Sequence, residues 1–107
     1  MQSFKGKLVR DKIPALIQAR GGSAVSHVLD DVGFSHALRE KLIEEANEAA
    51  EADDGELLEE LADVYEVLSA LAAKLGLEMT NVQEAAAAKA QERGTFRNRT
   101  WLESYSG

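Results

Sequence analysis

The sequence predicts an all-α fold, and three observations predict it. Ala, Leu and Glu are abundant, whereas the 107 residues include one proline and few β-branched side chains, a balance that favours helix. Apolar residues recur at helical spacing along two long stretches on either side of Asp53-Asp54-Gly55. Glycines and capping residues stand where those stretches stop. The length fits one domain, residues 1–107. A chain this short buries only roughly 65% of its unfolded surface, so its small core gains from a second copy.

Residues 3–9 are expected to be extended or irregular. Pro14 suits the first turn of a short helix over about 13–20, which Gly21-Gly22 ends. Residues 23–29 are expected to be a short extended segment, and Asp30-Asp31-Val32-Gly33 a turn. Ser35 is the expected N-cap of a helix reaching Ala52. Asp53 is expected to cap the next helix, with Glu56 completing a capping box. That helix runs to Leu75, where Gly76 stops it; a further helix begins near Met79 and ends at Arg93, before Gly94. The tail 95–107 places Phe96, Trp101 and Tyr105 among basic and polar residues. Core or dimer packing is the first expectation for Phe96 and Trp101, stacking on a base the second.

Charge divides the chain. The net charge is −7. Lys5, Lys7, Arg10, Lys12 and Arg20 face Asp11 alone in the first 20 residues, and Arg93, Arg97 and Arg99 face Glu103 at the other end. The centre is strongly acidic, which argues against nucleic acid as a partner. A solvated acidic helix face accounts for the charge alone; a cation-and-phosphate ligand accounts for it too. With no cysteine, disulfides, zinc fingers and thiol nucleophiles are excluded. The absence of a long apolar run or a signal-peptide pattern leads to the expectation of a soluble, cytoplasmic protein with no membrane partner.

The apolar stripes locate the chemistry. Leu38, Leu42 and Ala49 form a stripe on the helix 35–52, and its missing member is Glu45. On the following helix Leu57, Leu61, Val64, Leu68, Leu71 and Leu75 form the expected inward face, widened by Leu58, Tyr65 and Ala72, with Glu60 at its edge. The short turn makes the two helices antiparallel neighbours. Counting from that turn, Glu45 and Glu48 fall level with Glu60 and Asp63, each on the order of 10 Å away. Two pairs of carboxylates facing each other repel unless cations neutralise them. An all-oxygen set without His or Cys points to magnesium or manganese. Exposed Glu pairs on amphipathic helices are the plainer alternative.

These residues resemble a known family. Glu44–Glu48 (EEANE) followed by Glu60–Asp63 (ELAD) resembles the ExxE…ExxD signature of the all-α nucleoside triphosphate pyrophosphatase superfamily, which includes MazG-like proteins, all-α dUTPases and phosphoribosyl-ATP pyrophosphohydrolase. The opening Lys7–Ile17 (KLVRDKIPALI) and closing Lys89–Leu102 (KAQERGTFRNRTWL) resemble one MazG-like branch. The spacer from Glu48 to Glu60 is shorter than in much of the superfamily, which makes for a tight hairpin.

The resemblance implies a magnesium-dependent nucleotide pyrophosphohydrolase that cleaves between the α and β phosphates, giving a monophosphate and pyrophosphate. It implies metal ligands at Glu45, Glu48, Glu60 and Asp63. Glu44, beside them, is the candidate catalytic group that orients or deprotonates the attacking water; an exposed helix residue is the alternative. The resemblance also implies a four-helix-bundle-like core, completed by dimerisation, so a homodimer or higher oligomer is expected. House-cleaning of non-standard nucleotides is the first expectation, because the opening segment resembles the MazG-like branch. Phosphoribosyl-ATP hydrolysis in histidine biosynthesis and a non-enzymatic helical dimer are the alternatives.

Phosphates need cations as well as metals. Lys41, one turn before Glu44 and Glu45, is a candidate substrate contact or a surface ion pair. Lys89 and Arg93 are candidates too, or cations that favour a helix C-terminus. Arg10 and Lys12 precede Pro14 and are either phosphate contacts or flanks of a helix start. His27 and His36 have no partner spacing and receive no role.

Overall fold

Four helices and no strand make up the computed structural model, which describes residues 6–107: α1 (Ile13–Ala19), α2 (Asp31–Glu51), α3 (Asp54–Lys74) and α4 (Met79–Arg93). The all-α expectation holds. Of the expected N-terminal extended segment, residues 3–5 and the cation Lys5 lie outside the described residues, and 6–10 have no regular structure. Residues 23–29 form no strand and are largely exposed.

α2 starts earlier than Ser35. Asp30 is extended, and its Oδ1 accepts the Gly33 N–H at 2.8 Å. One carboxylate therefore satisfies an orphan donor of the first turn, so the four residues read as a turn become the helix start. A Cβ at Gly33 would lie 3.0 Å from the same oxygen, so glycine leaves the cap room. Ser35 ends up inside the helix.

Asp53 does precede α3, but the capping box with Glu56 does not form: the Asp53 side chain makes no capping bond. The backbone takes over, and the Glu56 N–H donates to the Asp53 carbonyl at 2.9 Å. At the other end Gly76, at φ +75°, takes the left-handed conformation. Its N–H donates to the Ala73 carbonyl and that of Leu77 to the Ala72 carbonyl, both at 2.9 Å, the paired bonds of a Schellman stop. At the start of α4 the Asn81 Oδ1 accepts the Glu78 N–H at 2.9 Å.

α2 and α3 pack as a hairpin, joined by Ala52 and Asp53 alone. Its buried apolar centre is Leu38, Val67 and Ala72. This corrects part of the expected inward face of α3: Ala72 is buried and Leu57, Val64, Leu68 and Leu71 are half-buried, but Leu75 is exposed. Glu60, Val67 and Leu71 lie along one line of that helix, while Leu61, Tyr65 and Leu58 lie about 100° or more further round and are exposed. The apolar surface of α3 is wider than one neighbouring helix covers. The molecule measures 56 × 34 × 25 Å, with a radius of gyration of 18.2 Å, against about 13 Å for a compact chain of this length. Among the described residues no helix is long and apolar enough to cross a membrane.

Candidate metal centre

The helix period aims Glu45 into the hairpin. It occupies the stripe of Leu38, Leu42 and Ala49, so the packing that buries Leu38 buries the carboxylate too, leaving its side chain only 9% exposed. Glu60 and Asp63, one turn apart on α3, meet it from the other side. Each of the three offers an oxygen, and these oxygens lie within 4.8 Å of one another. Glu45 Oε2 and Glu60 Oε2 are buried with no hydrogen-bond partner among the described residues. Buried polar atoms are normally paired, and a carboxylate can only accept when ionised. Two such atoms facing a third carboxylate make a group that could hold a cation. The donor set is all oxygen, which suits a hard divalent ion.

The electrostatics agree. Burial is the largest effect raising the Glu45 carboxyl above the ordinary glutamate range; the neighbouring Glu48 carboxyl adds to the rise, and Lys41 opposes it. Lys41 is itself mostly covered, its side chain 18% exposed, and its Nζ lies 3.4 Å from both Glu44 Oε2 and Glu45 Oε1. Lys41 thus lines the cleft while pairing with two acids of its own helix. The second cation arrives from far away in sequence. Arg10 Nη2 donates to Asp63 Oδ1 at 2.7 Å, and its Nη1 stands 4.0 Å from Glu66 Oε1.

A cleft of about 370 Å³ opens beside these groups. The segment around Arg10 and the side chains of Phe34, Lys41, Glu45, Asp63 and Val67 line it. Carboxylates, two cations and an apolar wall therefore share one opening.

The expected site residues divide accordingly. Glu45, Glu60 and Asp63 come together. Glu48 lies outside that cluster, on an exposed position of α2, yet close enough to act on Glu45. Glu44 is half-buried and pairs with Lys41. Arg10 and Lys41 line the cleft; Lys12 sits exposed at the start of α1, and Lys89 and Arg93 lie exposed on α4, away from the cleft lining. Phe96 and Trp101, at 99% and 87% exposure, take no part in a core of their own chain. Phe34, Val67 and Glu66 were not singled out by the sequence reading. Phe34 and Val67 carry only an apolar signal, and Glu66 is one of many exposed acids.

No family model matches this chain, and no curated protein or solved structure does.

Proposed function

We propose that the protein is a magnesium-dependent nucleoside triphosphate pyrophosphohydrolase that cleaves between the α and β phosphates. The observation that carries this reading is the pair of buried, partnerless carboxylate oxygens on Glu45 and Glu60, facing Asp63. Glu45, Glu60 and Asp63 would hold the ion, with Glu48 at the margin as a fourth ligand. Magnesium bound there would supply charge neutralisation for a polyphosphate and activation of water.

The chain's own residues account for the rest. Glu44 stands next to the cluster and is half-exposed, so it can accept a proton from a water attacking beside the metal ligands. Lys41 and Arg10 face the cleft and supply positive charge for phosphate oxygens. The resemblance of the EEANE and ELAD segments to the superfamily signature supports the same reaction class, and that of the opening segment supports house-cleaning of non-standard nucleotides in the cytoplasm.

The reading includes a homodimer. The accessible surface is 9847 Å², against roughly 5,800 Å² for a compact monomer of this mass. Leu58, Leu61 and Tyr65 on α3 and the aromatic tail are the apolar surface that such an assembly would cover.

Product analysis tests the reaction. A panel of canonical and modified nucleoside triphosphates and phosphoribosyl-ATP is incubated with and without magnesium. Magnesium-dependent pyrophosphate release is the expected result, with the preferred substrate separating house-cleaning from a biosynthetic role. Orthophosphate release would place attack at another bond, and no release by the folded protein would favour a binding module.

A further inference from the structure

We propose that Arg10 is the resident counter-ion of the carboxylate cluster in the metal-free protein, and that a divalent cation entering the cluster displaces it and releases the 6–12 segment. This rests on the metal-site reading above.

The geometry sets up a competition. Arg10 lies 53 residues before Asp63 in sequence, yet its Nη2 meets the Asp63 carboxylate at 2.7 Å. Asp63 also belongs to the cluster with Glu45 and Glu60. One carboxylate thus serves two cations, a guanidinium already in place and the ion that the orphaned oxygens of Glu45 and Glu60 require.

The tether is weak. The Arg10 side chain is 55% exposed, and an exposed ion pair contributes little stability. Among the described residues, no other side-chain hydrogen bond or ion pair ties the 6–12 segment to the hairpin. The segment has no helical or strand pairing to hold it, and Leu8 and Val9 are only half-buried against the cleft. A divalent ion among three carboxylates brings two positive charges beside the guanidinium, and at that separation like charges repel strongly. The segment lines the cleft, so its release widens the opening as the metal arrives. The freed guanidinium then faces incoming phosphate.

The test is a titration of the full chain with magnesium alone, followed by amide NMR spectra and heteronuclear relaxation, which reports backbone order on the ps–ns timescale. In the unsubstituted protein, saturating magnesium is expected to lower the order of residues 7–11 towards free-chain values. In Arg10→Gln those residues are expected to be disordered without metal. Magnesium then binds about three- to tenfold more tightly, because no competitor has to leave. Binding that leaves residues 7–11 as ordered as before overturns the proposal and spares the metal site. Weaker binding in Arg10→Gln also overturns it, since Arg10 would then be orienting Asp63. No magnesium binding to either protein overturns the proposal and the metal-site reading together.

Discussion

The α2–α3 hairpin and the chain from α4 to the C-terminus use their apolar residues in opposite ways. The hairpin buries Leu38, Val67 and Ala72, and with them the charged Glu45. The second region, 79–107, buries no residue, and its Phe96, Trp101, Leu102 and Tyr105 are all exposed. Packing that fixes a carboxylate against two others makes a candidate site. Unburied aromatics leave an apolar surface open to solvent. The hairpin is thus the part of the chain that brings candidate site residues together, and the tail is the part that leaves its aromatic side chains exposed.

The largest contrast between the regions is expected in turnover. Glu45→Gln or Asp63→Asn is predicted to lower pyrophosphate release by at least about 100-fold with an unchanged helical circular dichroism spectrum, whereas Arg97→Ala in the tail leaves the metal dependence intact. Full activity in both hairpin variants would remove the metal assignment.

Stability gives the next contrast. Leu38→Ala is predicted to cost about 2–5 kcal/mol in chemical denaturation, because it empties part of the only buried apolar centre among the described residues. Trp101→Ala is predicted to shift sedimentation equilibrium towards the monomer. An unshifted equilibrium would show that the tail is not the assembly surface.

A smaller effect separates the regions by pH. Folded Glu45 binds its proton at higher pH than unfolded Glu45, whose ordinary value is 4.5. The metal-free protein therefore gains stability as pH falls through the folded value, and the gain levels off near the unfolded one. Comparison of denaturation curves with those of Glu45→Gln isolates this term, and the variant is expected to be more stable than the parent at pH 7 and to lack the gain. The smallest expected effect is at Lys41. Lys41→Met is predicted to push the Glu45 carboxyl further up, read from its side-chain carbon shift against pH.

The fold was legible where local chemistry decides it. Gly76 marks the end of α3 because only a left-handed residue closes that Schellman stop. The helical period placed Glu45 in an apolar stripe, and its burial with Glu60 and Asp63 follows from that placement plus a two-residue turn. The start of α2 was misread because Asp30 and Ser35 are both good caps, and it is Asp30 whose carboxylate accepts the Gly33 N–H. The inward face of α3 was legible in part: Ala72 is buried and Val64, Leu68 and Leu71 are half-buried, whereas Leu61 and Leu75 are exposed, because its apolar surface is wider than one neighbouring helix covers and the hydrophobic period alone does not rank the faces. The Arg10–Asp63 contact was illegible as a pair, since nothing local links residues 53 positions apart.

Thermal unfolding with and without magnesium tests the account most directly. A ligand that binds only the folded state raises its stability with the logarithm of one plus the ratio of free ligand to its Kd. Millimolar magnesium is predicted to raise the melting temperature of the unsubstituted protein and to leave Glu60→Gln unmoved. A melting temperature indifferent to magnesium, or a rise that survives the loss of Glu60, would contradict a metal centre in the hairpin.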